Sequence, residues 1–219
     1  MTEQTISIAI YSDVICPWCY VGKRRLEHAL DQLRDTVTAR VAWKPFQLNP
    51  TMPKEGVDRT AYLEAKFGSL GAFKRLEEHV LAAGLEERIP FAFEKISRTP
   101  NTLMAHRMIW YAGQRGCQNA LVDSFFKGYF EEGADIGSSS TLAQLADRAG
   151  LNTDTFLNSD EGTNQVKAEE AEGRKLGIRS VPYFQFNDTH ALSGAQPPDR
   201  FVAAMRKVLD EPISRKAGV

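Results

Sequence analysis

The chain has 219 residues, 42% of them hydrophobic and 25% charged, and its 27 basic and 28 acidic side chains leave a net charge of −1. That length can bury a sizeable core, and no excess of one sign marks a surface for nucleic acid or an anionic membrane. No apolar run reaches the ~20 residues of a membrane-spanning helix. The N-terminus does not read as a secretory signal: Glu3 comes early, the first basic residue is Lys23, and Ser12 and Asp13 interrupt the apolar run from Ile6. These features predict a cytoplasmic protein, a compartment in which a close cysteine pair is more often catalytic or metal-binding than a structural staple.

Residues 5–11 (TISIAIY) are short and β-branched, the pattern of a buried strand. From Pro17 the apolar residues Tyr20, Val21, Leu26, Ala29, Leu30 and Leu33 recur near helical spacing. Residues 38–46 (TARVAWKPF) read as a second strand. Strand, helix, strand over ~40 residues is a βαβ unit, so the two strands should be parallel. Residues 49–57 form a Pro- and Gly-containing loop.

The next stretch is helical by pattern. Helices are expected over 58–67, 70–83 with Gly84 as C-cap, 101–115 closed by Gly116, 118–131, 141–149 closed by Gly150, and 160–176 ended by Gly177. Residues 90–96 are read as a short extended connection. Strands return at 181–186 and 191–192, joined across Asn187-Asp188, a hairpin signal. Residues 197–209 predict a last helix, and the tail after Glu211 is polar and expected to be loose. The order is βαβ, a helical block, then ββα. The fold class is α/β, a thioredoxin fold with a large all-helical insertion. Residues 1–57 and 177–219 form its discontinuous thioredoxin domain and 58–176 the insertion.

The chemistry concentrates in Cys16-Pro-Trp-Cys19, two of only three cysteines. Cys16 falls at the strand-to-helix junction and Pro17 suits the first helical turn. The unpaired N–H groups of that turn and the helix dipole favour an anion there, which for Cys16 is the thiolate, the nucleophile of thiol–disulfide exchange. Cys19 lies one turn further on the same face, placed to attack a mixed disulfide formed on Cys16. A zinc site would need four ligands, and only Cys117 and four scattered histidines remain. A structural disulfide is the other bland reading. Val181-Pro182 on its own reads as a proline opening an edge strand.

Asp13 could shuttle a proton for Cys19 or serve as a turn residue bonded to backbone. Trp18, between the cysteines, is expected at the rim of a cleft, offering substrate a flat apolar face. His106 is either an interior histidine or a cleft residue. Asn101 reads as a helix-start residue, and Cys117 as a buried, inert thiol or a regulatory one.

Residues 13–22 (DVICPWCYVG), His106-Arg107, Ser180-Val-Pro-Tyr-Phe184 and Ser193-Gly-Ala-Gln196 together resemble the DsbA-like thioredoxin superfamily, in particular its FrnE-type branch. The resemblance spans essentially the whole chain. It implies that Cys16 is the nucleophile and Cys19 the resolving thiol, and that Pro182 is cis and packs beside them. It implies that Val181 offers backbone hydrogen bonds to substrate, and that the helix carrying His106 lies over the site. It also implies that Asn49 could contact a bound thiol peptide. The partners implied are thiol or disulfide substrates, whether protein, peptide or small molecule, with glutathione as candidate redox partner. No metal or organic cofactor is required, because the redox equivalents reside on the two sulfurs. A homodimer through the insertion is open. Kappa-class glutathione transferases and 2-hydroxychromene-2-carboxylate isomerases share the fold but carry Ser where this chain has Cys16, and a glutathione-dependent isomerase or transferase is the first alternative. A non-redox binding module or holdase is the second.

Overall fold

A computed structural model describes residues 4–210. The expectation for the tail after Glu211 lies outside the described residues. The central sheet has the order β2-β1-β5-β6, formed by β1 (Gln4–Ser12), β2 (Val37–Pro45), β5 (Tyr183–Phe186) and β6 (His190–Ser193). β1 and β2 are parallel in unbroken register from Gln4↔Val37 to Ser12↔Pro45, joined by α1 (Pro17–Gln32). β5 runs antiparallel to β1, and β6 antiparallel to β5. The β5–β6 loop is Asn187-Asp188-Thr189; Asn187 and Asp188 have positive φ, and the Thr189 N–H donates to the Phe186 carbonyl at 3.1 Å. The Asn187 side chain accepts from the Ser7 N–H at 2.8 Å and so fastens the turn to β1.

Between the two halves of the sheet run α2 (Arg59–Phe67), α3 (Leu70–Glu86), α4 (Leu103–Gly113), α5 (Gln118–Phe130), α6 (Ser139–Arg148) and α7 (Thr163–Lys175); α8 (Pro198–Asp210) closes the described chain. α8 packs on α1 and β6, while α4, α5 and α7 pack against β2. Caps explain several boundaries. Asp58 accepts from the Ala61 N–H ahead of α2, Ser69 from the Ala72 N–H ahead of α3, and Gly68 ends α2 in the left-handed conformation.

Two elements differ from the sequence reading. Gly84 does not cap α3 but lies inside it, where a Cβ would meet the Phe91 ring at 2.5 Å. The glycine serves close packing rather than helix termination. Residues 90–96 are not simply extended: Phe93–Lys95 make a 3-10 turn, and Arg98–Thr99 (β4) then pair antiparallel with Val57–Asp58 (β3). That ribbon ties the start of α2 to the segment before α4.

The sheet and the inserted helices share one apolar core. Tyr20 of α1 stacks on Phe126 of α5 with centroids 5.0 Å apart, and Trp43 of β2 meets Phe126 edge-on at 6.2 Å. Phe91, Phe93 and Phe130 extend the aromatic cluster. The helix carrying the cysteines is therefore clamped between sheet and insertion.

Candidate active site

β1 delivers the chain to the site. It ends at Ser12, and Cys16 then takes an extended conformation (φ −93°, ψ 111°) as the N-cap of α1 with Pro17 in the first turn. Proline is tolerated there because its missing N–H would have had no helical partner. The Cys16 N–H donates to the Asp13 carbonyl at 3.0 Å, and the Cys19 N–H donates to the Cys16 carbonyl at 3.0 Å. These two turns hold both thiols free, on one face and side by side.

Their surroundings differ. Cys16 is 6% exposed and Cys19 is 1% exposed. Burial pushes the Cys19 thiol well up from its ordinary value, and the neighbouring Cys16 sulfur pushes the same way. The Ser12 hydroxyl and the Asp13 backbone pull it back only in part. Cys19 is thus held as a thiol, and it needs a base before it can attack.

Val181-Pro182 supplies the opposite wall. The peptide bond between them is cis, and the Cys16 Sγ lies 3.6 Å from the Val181 carbonyl, which can accept its S–H. This close approach depends on Gly22 of α1. A Cβ at Gly22 would lie 3.0 Å from Pro182 Cγ and 3.1 Å from the Phe184 ring.

Just before the cysteines in the chain lies a buried polar residue that meets α4. Asp13 is fully buried, and its Oδ2 accepts from the Leu48 N–H at 2.7 Å. Its Oδ1 lies 3.4 Å from His106 Nε2, which belongs to α4. Neither of these two atoms has a hydrogen-bond partner of proper geometry. Unsatisfied buried polar atoms are uncommon in folded proteins, and their clustering at one point marks a site with chemistry to perform.

The structure therefore brings together Cys16, Cys19, Val181 and Pro182. Trp18 is 36% exposed and lines a cleft beside them. His106 is buried and faces Asp13 rather than the open cleft, so it can influence a substrate only through Asp13. Asn101 is a turn residue: its side chain accepts from the Leu103 N–H and donates to the Met52 carbonyl. Asn49 accepts from the Tyr62 hydroxyl at 3.0 Å and keeps a buried amide N–H₂ without a partner. Cys117 is the N-cap of α5, half-buried, with its sulfur 3.8 Å from the Ala112 carbonyl. Sequence reasoning missed Ser12 and the pairing of Asp13 with His106, since nothing in either local pattern announces a contact between residues so far apart in the chain.

The DSBA-like thioredoxin domain family matches residues 7–206. The chain belongs to that family. It is 31% identical to a probable DsbA oxidoreductase from Streptomyces coelicolor, whose structure superposes with a TM-score of 0.87 over 97% of this chain and 94% of that one. The protein YwbO of Bacillus subtilis (strain 168) is 27% identical over 205 residues, covering 92% of this chain and 96% of that protein. The cytosolic disulfide reductase DsbM from Pseudomonas aeruginosa, in a structure with GSH, shares the fold at 17% identity, with a TM-score of 0.64 over 94% of this chain and all of that one. At the level of the family, this DsbA-like chain is a thiol–disulfide oxidoreductase acting on thiols and disulfides. No helix among the described residues is long and apolar enough to cross a membrane.

Proposed function

We propose that the protein is a cytosolic thiol–disulfide oxidoreductase of the FrnE-type branch, with Cys16 as nucleophile and Cys19 as resolving thiol. The observation that carries this reading is the difference between the two sulfurs. Cys16 stands at a helix N-terminus in line with the Val181 carbonyl, and Cys19 is buried behind it with its proton held tightly.

In the reducing direction the Cys16 thiolate attacks one sulfur of a substrate disulfide. That bond breaks, the first substrate thiolate leaves, and a mixed disulfide forms on Cys16. Cys19 then loses its proton and attacks the Cys16 sulfur. The Cys16–Cys19 disulfide forms and the second substrate thiolate is released. Two electrons pass from the dithiol to the substrate. Asp13, held by the Leu48 N–H and facing His106 at 3.4 Å, is the base for the Cys19 proton. The Val181 backbone aligns the substrate. The oxidising direction is the same sequence reversed, with glutathione as the proposed partner that resets the pair. In this reading the thioredoxin part, residues 1–57 and 177–219, carries the cysteines, and residues 58–176 shape the substrate cleft.

Trapping tests the assignment. Cys19→Ser should accumulate a one-to-one mixed disulfide with added glutathione disulfide, seen as a mass increase on the peptide containing Cys16, whereas Cys16→Ser should not. A mixed disulfide confined to Cys117 would refute it. A serine at the position of Cys16 orients glutathione in the isomerase and transferase branch. A cysteine there forms a disulfide with glutathione instead, which disfavours that alternative.

A further inference from the structure

We propose that the cleft beside Cys16 is a subsite for a small aromatic disulfide or thiol that carries a carboxylate. The proposal rests on the redox reading above and names its substrate class. The cleft encloses about 370 Å³, within the range of small-molecule sites. One wall is formed by Ile15 and Pro17, the two chain neighbours of Cys16, with Trp18 at the rim. The facing wall is built by α2 and α3, where Leu63, Phe67, Phe73 and Leu76 present apolar surface. Such a slot suits the flat faces of an aromatic body.

Two polar features inside it are incompletely partnered by the protein. Thr99 is 2% exposed and lines the cleft, yet its hydroxyl makes no hydrogen bond. Arg59 is half-buried, with its guanidinium 5.7 Å from the Phe73 ring and 5.8 Å from the Phe93 ring. Its one side-chain hydrogen bond is a long one, 3.4 Å to the Tyr129 hydroxyl, and among the described residues it forms no ion pair within 4.0 Å. A guanidinium resting on rings keeps its remaining N–H groups free for a carboxylate. Lys66 adds positive charge and donates to the Tyr62 hydroxyl at 2.6 Å. His79 and Glu77 complete the titratable lining. Burial pushes the Glu77 carboxyl up from its ordinary value against the pull of Arg59 and Lys74, so this one acidic wall residue opposes a bound anion less than a free carboxylate would.

The reaction is the one already written. Cys16 takes one sulfur of the disulfide, the aromatic thiolate leaves, and Cys19 releases the second while two electrons pass to the substrate. The ring retained on Cys16 in the mixed disulfide occupies the cleft.

The test uses reduced full-length protein and stopped-flow kinetics with 5,5′-dithiobis(2-nitrobenzoate), 4,4′-dithiodipyridine and hydroxyethyl disulfide. Each rate is divided by that of N-acetylcysteine with the same disulfide, which removes intrinsic reactivity. The normalised rate with the nitrobenzoate disulfide should exceed that with hydroxyethyl disulfide at least tenfold, with dithiodipyridine between them. Arg59→Gln and Thr99→Val should each lower this preference at least threefold. Leu85→Ala, on α3 outside the cleft, should keep it. Thr99→Val should melt no lower than wild type, because it removes an unpaired buried hydroxyl, so its loss of preference cannot be misfolding. Equal normalised rates, or a preference unchanged in Arg59→Gln and Thr99→Val, would overturn the proposal, as would a cysteine-containing peptide disulfide outpacing the aromatic one. Binding of the unreactive thioether 5-methylthio-2-nitrobenzoate, followed by tryptophan fluorescence in Cys16→Ser, separates the two layers. Binding without any thiol reactivity in wild type would sink the redox reading and keep the subsite. Reactivity without binding would do the reverse.

Discussion

Burial distinguishes the two sulfurs. Because the folded protein raises the Cys19 pKa, the reduced state binds that proton more tightly than the unfolded chain does. The associated stability is fully present below the unfolded thiol value of about 8.5 and is lost as pH rises through the higher folded value. Reduced wild type should therefore lose stability relative to Cys19→Ser as pH is raised above about 8.5, measured by denaturant unfolding at a series of pH values. A difference that stays constant across that range would contradict the raised value. Asp13→Asn should slow release of substrate from the Cys16 mixed disulfide about 100-fold, the scale of a lost proton-transfer group. The first attack should be far less affected, and quenched-flow mass spectrometry separates the two steps. At this scale the sequence was informative where chemistry is local. Cys16, Cys19 and Trp18 lie within four residues of one another, and Pro182 was identified through its resemblance to a known context. The Asp13–His106 contact, Thr99 and Arg59 were not legible, because each acquires its meaning from an element distant in the chain.

Elements meet at glycines where two backbones must approach. Gly22 lets α1 lie against Pro182, and Gly84 lets α3 lie against the Phe91 ring. Gly22→Val should displace the Val181-Pro182 segment from Cys16 and cost about 1–3 kcal/mol, the usual scale of overpacking. It should also slow the reaction with any disulfide, as measured by the Cys16 alkylation rate and by thermal melting. A fully active, equally stable variant would show that the contact at Pro182 is dispensable. Among the described residues, periodicity in the sequence located each α-helix and each strand of the main sheet to within a few residues. It missed the β3–β4 ribbon, since two-residue strands are too short to show alternation. It misread Gly84 because a glycine near a helix end carries the same local signal whether it caps the helix or admits a neighbour.

Across the whole molecule, one core joins the sheet to the inserted helices, and Phe126 sits at its centre between Tyr20 and Trp43. Phe126→Ala should destabilise the protein by about 3–5 kcal/mol, in one cooperative transition seen alike by far-ultraviolet circular dichroism and by tryptophan fluorescence. Two separated transitions would show that the sheet and the helices unfold independently. The α/β class and the order of the blocks were readable from the sequence, because hydrophobic period changes visibly along the chain. The shared core was not, because it is assembled from residues of both parts.

The central claim is that Cys16 and Cys19 form a reversible redox couple. Equilibrating the protein in graded mixtures of reduced and oxidised glutathione, and reading the oxidised fraction by mass spectrometry after acid quench and alkylation, tests it directly. The account predicts a single two-electron transition that disappears in Cys16→Ser and leaves Cys117 alkylated throughout. Two thiols that remain reduced at every ratio, or a transition that survives in Cys16→Ser, would contradict it.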